Sequence, residues 1–188
     1  MRAFLASHNR HKLEELRAAL REWELELLDA DGFPDEEGAT YYDNARAKAQ
    51  FGRRLGAADV LVLGEDSGVE VEALGGRPGI ESARWAGEPV AALLRELRGV
   101  ENRCARYVCE LVCLSPERGE FRGTGILAGR IAHEPRGSEG FGYDPVFVPE
   151  GEERTVAELG NAWKGRNSHR ARAAAALFVS LAEQTPPR

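Results

Sequence analysis

Apolar positions along the chain recur either at the strand period of two or at the helix period of 3.6. Residues 2–6 form a short apolar run typical of a buried strand. Another apolar run at 60–63 has strand length and stops at the polar sequence Gly64-Glu65-Asp66-Ser67-Gly68. Further strands are predicted at 25–28, 104–114 and 120–131, and helices at 10–23, 41–55, 89–98 and 168–183.

Strands and helices alternate in this pattern, which predicts an α/β fold with an elongated mixed β-sheet flanked by helices. In the first helix Leu13, Leu16 and Leu20 mark the apolar face, and Asn9 is a candidate N-cap. Glu15 is one of the polar residues between those leucines. The length of 188 residues suits one compact domain, or two small lobes sharing a core.

Composition narrows the class of protein. Lys and Arg total 25 and Asp and Glu total 31, for a net charge of −6, which argues against a nucleic-acid coat. No apolar run approaches the roughly 20 residues that span a bilayer, and the N-terminus does not resemble a signal peptide. The three cysteines, Cys104, Cys109 and Cys113, form no Cys-x-x-Cys pair, so we expect reduced thiols and a cytoplasmic protein.

One candidate anion site is the segment Ser7-His8-Asn9-Arg10-His11-Lys12, between the first strand and the first helix. Backbone N–H groups at a helix N-terminus favour anions, and Lys12 adds a positive charge. Ser7 and Asn9 can donate further hydrogen bonds. The alternative is an ordinary helix cap with solvated basic residues.

Carboxylates provide a candidate metal or water site. Glu65 and Asp66 follow a buried strand, where charge is costly unless it is paired or holds a cation. A carboxylate there can ligate Mg²⁺ or orient a water; the alternative is a strand-end turn. Asn44 and Lys48 lie one turn apart on a single face of the second predicted helix. Asp43, beside them near the helix start, is either a second metal carboxylate or a residue that the helix dipole favours.

The C-terminal third supplies a candidate nucleotide site. His169 and Arg170 fall in the first turn of the last helix, where cations oppose the dipole unless an anion or an electron-rich ligand is bound there. Lys164 lies just upstream. In the sequence Phe141-Gly142-Tyr143-Asp144 the glycine permits close backbone approach and an aromatic ring could stack on a base. Ordinary core packing is the alternative for these aromatics.

Together these segments resemble the inosine triphosphate pyrophosphatase family, the non-standard purine nucleoside triphosphate pyrophosphatases. The resemblance runs from Phe4 to about Ala176. Its motifs occur in order as S-H-N-R-H-K (7–12), T-Y-Y-D-N-A-R-A-K-A (40–49), E-D-S-G-V-E-V (65–71), L-G-G-R-P-G-I-E-S-A-R (74–84), F-G-Y-D-P (141–145) and K-G-R-N-S-H-R (164–170).

The resemblance implies Mg²⁺-dependent hydrolysis of ITP, dITP and XTP to a monophosphate and pyrophosphate by a homodimer. It implies that residues 1–188 of each chain form a single domain, whose two lobes share one sheet and surround a central nucleotide cleft. It implies that Asp66 accepts a proton and binds metal, and that Asp43, where the family usually has Glu, is a second metal ligand. The implied substrate-binding residues are Ser7, His8, Asn9, Arg10, His11, Lys12, Ser67, Phe141, Gly142, Tyr143, Asp144, Lys164, His169 and Arg170.

Base choice follows from hydrogen bonding. Hypoxanthine and xanthine carry a carbonyl oxygen at C6, which donors from His169, Arg170 or loop amides would satisfy, whereas the adenine amino group would leave those donors unpaired. The partner expected from the resemblance is a purine nucleoside triphosphate. The net charge and the short apolar runs predict no nucleic-acid or membrane partner. Two alternatives stay open: a pyrophosphatase with a different base preference, and a nucleotide-binding module without turnover.

Overall fold

The computed structural model describes residues 1–55 and 59–183. Its strands are β1 (Arg2–Leu5), β2 (Glu24–Leu27), β3 (Leu61–Val71), β4 (Cys104–Ser115), β5 (Gly119–Ile131) and β6 (Phe147–Pro149). Its α-helices are α1 (Arg10–Ala19), α2 (Tyr41–Arg54), α3 (Pro89–Glu96), α4 (Val156–Leu159), α5 (Asn161–Asn167) and α6 (His169–Glu183). Short 3₁₀ turns follow β3 at Glu72–Leu74 and Gly79–Glu81.

The six strands pair in the order β2-β1-β3-β4-β5-β6. β1 pairs in parallel with both β2 and β3, whereas β5 and β6 are antiparallel. The predicted α/β fold with a mixed sheet is therefore confirmed, while the elongated shape and the nucleotide cleft remain predictions. Among the described residues, no helix has the length and apolar character needed to cross a membrane.

The chain divides into two compact units, each with its own apolar core. Unit 1 consists of the described residues of Met1–Asp66, Cys109–Gly125 and Arg170–Arg188, and unit 2 of Ser67–Val108 and Ile126–His169. The unit 1 core includes Leu5, Leu16, Leu63, Leu111, Phe121 and Leu177. The unit 2 core includes Val69, Leu93, Tyr107, Ile131 and Phe147.

The predicted end of the third strand at Gly64 is wrong, because β3 continues through Glu65 and Asp66 to Val71. Gly64 is buried, and any Cβ there would clash with the backbone of Ala45 and Ala49 in α2. The missing side chain thus lets the strand pass close against the helix. Strand structure can continue through the two carboxylates because both are ion-paired, as described below.

Gly64→Ala is expected to lower the free energy of unfolding by about 1–3 kcal/mol or more, because the added methyl group overlaps the α2 backbone. Chemical denaturation followed by circular dichroism measures this loss. Gly32→Ala is the matched control, since a Cβ at Gly32 meets nothing within 4 Å. Equal stability of the two variants would show that the close strand–helix approach is not required.

Other element boundaries differ by a few residues. α1 ends at Ala19, four residues before the predicted end, because the backbone of Leu20, with φ of −102° and ψ of 52°, leaves the helical region. The short elements β6, α4 and α5 were not predicted, since three to seven residues hold too little periodicity to identify. The second helix, predicted to run to Leu55, ends at Arg54; Gly56, the glycine that was expected to end it, lies outside the described residues.

All three cysteines are free thiols, as predicted. Cys104 is exposed, whereas Cys109 and Cys113 are buried in β4. Burial raises the pKa of Cys109 well above its ordinary value and that of Cys113 to about 12. Both buried thiols therefore stay protonated and shielded at neutral pH.

A thiol reagent at pH 8 is expected to label one cysteine per native chain and three per denatured chain. The thiolate is the reactive form, so Cys104 alone should react before unfolding. Mass spectrometry after alkylation counts the labels, and Cys104→Ser should reduce the native count to zero. Labelling of Cys109 or Cys113 in the native protein would contradict their burial.

Candidate functional site

Two consecutive carboxylates of β3 face opposite sides of the sheet, because successive strand side chains alternate. On one side, Asn44 Nδ2 donates to Asp66 Oδ2 at 3.0 Å. Lys48 Nζ donates to Asp66 Oδ1 and to the backbone oxygen of Glu65, both at 3.2 Å. Asn44 and Lys48 lie one turn apart on α2, so this helix presents an amide and an ammonium to the same carboxylate.

A residue that the sequence did not single out, Glu36, completes this side. Lys48 Nζ also donates to Glu36 Oε1, so one ammonium bridges Glu36 and Asp66. The loop that carries Glu36 is tied to α2, where Asn44 Oδ1 accepts from the Gly38 N–H at 2.8 Å. The acidic run before Gly38 was the available signal, but it has no periodicity to mark it as part of a site.

The two bridged carboxylates differ in proton affinity. Burial raises the pKa of Asp66 to about 6; the charges of Glu36 and Glu65 add to this effect and that of Lys48 opposes it. Burial also acts to raise the pKa of Glu36, but Lys48 holds it below its ordinary value. Asp66 is therefore the carboxylate of this pair that can exchange a proton near neutral pH.

On the other side of the sheet, the Glu65 carboxylate joins two cations. Lys12 Nζ lies 2.6 Å from Glu65 Oε2, and Arg170 Nε donates to Glu65 Oε1 at 3.0 Å. Arg170 Nη1 also donates to Glu15 Oε2 at 3.1 Å. Burial acts to raise the pKa of Glu65, yet the charges of Arg170 and Lys12 hold it well below its ordinary value.

Glu15 was grouped with the polar residues between the leucines of α1, but it is buried, with 8% exposure. Its signal was its spacing, because Glu15 lies one turn after Lys12 and both can face the same strand. We use the name carboxylate cluster for this whole arrangement in unit 1. Its members are Lys12, Glu15, Glu36, Asn44, Lys48, Glu65, Asp66 and Arg170.

The predicted anion segment before α1 forms a helix cap. Asn9 is the N-cap, as predicted, and its Oδ1 accepts from the N–H groups of His11 at 3.0 Å and Lys12 at 3.2 Å. Ser7 Oγ in turn accepts from the Asn9 N–H at 3.1 Å. The side chain of Lys12 is the part of this segment that enters the carboxylate cluster.

The remaining residues of that segment lie away from these contacts. His8 Nε2 is 2.9 Å from the Ala30 carbonyl oxygen, and its ring meets the edge of Phe33. Arg10 and His11 are exposed, and His11 lies 4.0 Å from Glu14.

Asp43, the other predicted metal ligand, caps α2. Its Oδ2 accepts from the N–H of Thr40 at 3.1 Å and from the Thr40 hydroxyl at 2.7 Å, while Thr40 Oγ1 accepts from the Asp43 N–H. This capping box accounts for an acidic residue at the helix start, and Asp43 is exposed. Among the described residues, Glu36 and not Asp43 shares the Lys48 ammonium with Asp66.

Unit 2 contains a second cluster around the buried carboxylate of Asp144. Its Oδ2 accepts from Lys164 Nζ at 2.5 Å and from the Phe141 N–H at 2.8 Å. Its Oδ1 accepts from the Tyr107 hydroxyl at 3.2 Å. The Lys164 ammonium also lies 4.6 Å from the centre of the Phe141 ring, a cation–π contact.

An aromatic stack extends this second cluster. The rings of Tyr107 and His169 are parallel within 8°, with centres 4.5 Å apart. We call Tyr107, Phe141, Asp144, Lys164 and His169 the aromatic cluster. Tyr107 was not predicted as a site residue, because alternation within a strand does not distinguish a tyrosine of the core from one that holds a site.

Two predicted residues, Gly142 and Tyr143, lie between Phe141 and Asp144 of the aromatic cluster. Gly142 has φ of +63°, in the left-handed region that favours glycine, so the turn after Phe141 requires it. Tyr143 is buried and donates to the Ser82 carbonyl oxygen at 3.2 Å; burial raises its pKa to about 12. Ser67, the residue after Asp66 in β3, is half-buried.

The structure thus gathers seven of the predicted site residues into two groups. Lys12, Asp66 and Arg170 lie in the carboxylate cluster of unit 1. Phe141, Asp144, Lys164 and His169 lie in the aromatic cluster of unit 2.

The donor set of the carboxylate cluster fits a hard divalent cation with few protein ligands. Four carboxylates face three cationic side chains, so the cluster carries excess negative charge. The described residues contain no group of three or more His, Cys, Asp or Glu side chains arranged to hold a metal. Two carboxylates suit Mg²⁺, which typically keeps several waters and binds substrate phosphates.

Comparisons with known proteins cover nearly the whole chain. The model of the Ham1 family matches residues 3–179. A dITP/XTP pyrophosphatase of Bdellovibrio bacteriovorus is 42% identical over 200 residues, covering 99% of this chain and all of the relative. One from Mycobacterium tuberculosis is 46% identical over 198 residues, covering 94% of this chain and 93% of the relative.

Solved structures agree with the sequence relatives. The Ham1 protein of Staphylococcus aureus matches with a TM-score of 0.84 and 31% identity, covering 98% of this chain and 100% of that one. The HAM1 protein of Coxiella burnetii matches with a TM-score of 0.82 and 32% identity, covering 97% and 99%. On both sequence and structure, the chain belongs to the Ham1 family.

Proposed function

We propose that this protein hydrolyses non-standard purine nucleoside triphosphates, namely ITP, dITP and XTP, to the monophosphate and pyrophosphate, and so clears them from the nucleotide pool. The observation that carries the proposal is the lysine-bridged pair of Glu36 and Asp66, next to the lysine-bound Glu65. Relatives that cover nearly the whole chain are named dITP/XTP pyrophosphatases, which supports the same reaction.

Asp66 is the proposed proton acceptor. In-line hydrolysis needs a carboxylate that takes a proton from the attacking water. With a pKa of about 6, Asp66 is ionised at neutral pH and still basic enough to accept that proton. The hydrogen bonds from Asn44 and Lys48 fix the orientation of its two oxygens, which favours attack in one direction.

Glu36 and Asp66 are the proposed holders of Mg²⁺. The cation, when bound, would neutralise charge on the triphosphate and polarise its phosphoryl oxygens. Lys48 keeps both carboxylates together when they would otherwise repel each other. Asp43, the other predicted ligand, is bound in a capping box and stays a prediction.

Lys12 is the proposed contact for the triphosphate, whose several negative charges need a cation besides the metal. The start of α1 from Ser7 to Arg10, with His11, would support it, and Ser67 follows Asp66 in the chain. Two of the helix N–H groups serve the Asn9 cap, so we assign the side chain of Lys12 the larger share of phosphate binding.

The aromatic cluster is the proposed nucleotide-binding group of unit 2. Asp144 fixes Lys164 and the Phe141 backbone, so a cation and a ring are held in place together. Such a pair can contact a flat base and donate to its C6 carbonyl oxygen, which hypoxanthine and xanthine have and adenine lacks. Gly142, Tyr143 and His169 shape the same group. The resemblance also implies a nucleotide contact for Arg170, but Arg170 is bonded to Glu65 and Glu15 in the carboxylate cluster and is not part of the aromatic cluster.

We further propose that residues 1–188 work as one pyrophosphatase domain, and that the chain forms a homodimer in the cytoplasm. The family resemblance and the free cysteines support these assignments. The net charge of −6 favours a small anionic substrate held by local cations over nucleic acid or an anionic membrane surface.

The test is pyrophosphate release from ITP, XTP, GTP, ATP and dTTP, each with and without Mg²⁺. We expect ITP and XTP to be cleaved to the monophosphate, with kcat/KM at least about 100-fold above that for ATP, and only with Mg²⁺. Preference for ATP or dTTP would indicate a different base choice. Tight ITP binding without pyrophosphate release would indicate a nucleotide-binding module.

A further inference from the structure

The carboxylate cluster contains a series of linked ion pairs, of which the proposed reaction uses only Lys12 directly. It runs from Glu15 to Arg170, then to Glu65, and ends at Lys12, over distances of 3.1, 3.0 and 2.6 Å. Glu65 uses a different oxygen for each of its two cations. Each buried charge in the series is therefore neutralised by its neighbour, and removing one leaves the next less well compensated.

The two cations of this series differ in how far their side chains are exposed to solvent. The Arg170 side chain is 4% exposed and donates to two carboxylates. The Lys12 side chain, at the end of the series of ion pairs, is 14% exposed. Arg170 is thus placed to act through Glu65, and Lys12 is the member that a phosphate can reach. This differs from the direct substrate contact that the family resemblance implies for Arg170.

Lys12 needs a fixed partner for two physical reasons. It lies in the first turn of α1, where the helix dipole disfavours a cation, and its long side chain is flexible. The Glu65 carboxylate also stands between Lys12 and Arg170, so without its charge two cations would face each other. Lys12 would then swing away from the position seen here.

We propose that Glu65 is a positioning residue that fixes the Lys12 ammonium for triphosphate binding, with Arg170 and Glu15 anchoring Glu65 in turn. The role rests on the proposed function, because it assumes that Lys12 binds the substrate's phosphates. Glu65 itself touches no substrate in this account. Its effect on binding must therefore pass through Lys12.

A double-mutant cycle tests this dependence. The dissociation constant of α,β-methylene-ITP, a non-hydrolysable analogue, is measured by calorimetry with saturating Mg²⁺ for the wild-type chain, Lys12→Met, Glu65→Gln and the double variant. We expect Glu65→Gln to weaken binding about 10-fold in the wild-type background and less than about 2-fold in the Lys12→Met background. An equal loss in both backgrounds, or no loss in the first, overturns the proposal.

Glu110→Gln is the matched control for a general loss of stability. Glu110 is also a buried, ion-paired glutamate of unit 1: it is 5% exposed and accepts from Arg122 at 2.7 and 2.8 Å. We expect this variant to melt at a lower temperature yet bind the analogue like the wild type. If Glu110→Gln weakens binding as much as Glu65→Gln, the effect is general loosening and the positioning role is wrong.

Two further arms keep the test decisive. If Glu65→Gln does not fold, Glu65→Asp replaces it in the same cycle, because its shorter carboxylate keeps the charge but cannot hold both cations at their present distances. Failure of the proposed function is distinguishable from failure of the positioning role: in that case the wild-type chain binds the analogue but releases no pyrophosphate from ITP. A wild-type chain that does not bind the analogue at all overturns the positioning role as well.

Discussion

Asp66→Asn is expected to lower kcat for ITP hydrolysis by about 1,000-fold, within the range that a general base contributes. The asparagine has nearly the same shape but cannot take a proton from water at neutral pH. Steady-state pyrophosphate release measures kcat, and calorimetry with α,β-methylene-ITP measures binding, which we expect to change little at saturating Mg²⁺. The matched control is Glu70→Gln, which neutralises another carboxylate of β3 that is paired with Arg106.

Turnover by Asp66→Asn within about 10-fold of the wild type would refute the proton-acceptor role. A comparable loss in Glu70→Gln would show instead that β3 tolerates no neutralised carboxylate. The account predicts that Glu70→Gln keeps kcat within about 2-fold of the wild type. Both limits on the change in kcat are smaller than the loss expected from removing a general base.

Glu36→Gln is expected to raise the Mg²⁺ concentration for half-maximal activity by at least about 10-fold, because one of the two proposed carboxylate ligands loses its charge. The measurement is a Mg²⁺ titration of pyrophosphate release at saturating ITP. Glu37→Gln is the matched control, since Glu37 is the exposed neighbour in the same loop. An equal Mg²⁺ requirement in Glu36→Gln and the wild type would contradict the metal role of Glu36.

Asp43→Asn separates the two candidate ligands further. If the capping box is the whole role of Asp43, this variant should lose roughly 0.3–1 kcal/mol of stability, because the amide oxygen can still accept from Thr40 but the charge at the helix start is gone, and it should keep the wild-type Mg²⁺ requirement. A large rise in that requirement would restore Asp43 as a metal ligand and displace Glu36 from the account.

Local pattern was sufficient to predict the elements that place most of the site. The apolar run before Glu65 predicted a buried strand, and the spacing of Asn44 and Lys48 predicted that both face one side of α2. Asn9 was predicted as the N-cap because its side chain and position suit the start of α1. Each of these features depends on residues within one or two helical turns of one another.

Features that depend on distant residues were not predictable from local pattern. Glu36 enters the site through Lys48, 12 residues away, and its loop has no periodicity. Glu15 was grouped with the polar residues between the leucines of α1, yet it is buried, and Arg170, 155 positions later, compensates its charge. The strand was expected to stop at Gly64, since burial of Glu65 becomes favourable only when Lys12 and Arg170 are both in place.

The most direct test of the central claim is a crystal structure of the protein with Mg²⁺ and α,β-methylene-ITP. The account predicts the triphosphate against the Lys12 ammonium and the Mg²⁺ bound to carboxylate oxygens of Glu36 and Asp66. It also predicts that Arg170 keeps its bonds to Glu15 and Glu65. A triphosphate or a Mg²⁺ ion bound away from the carboxylate cluster would contradict the account.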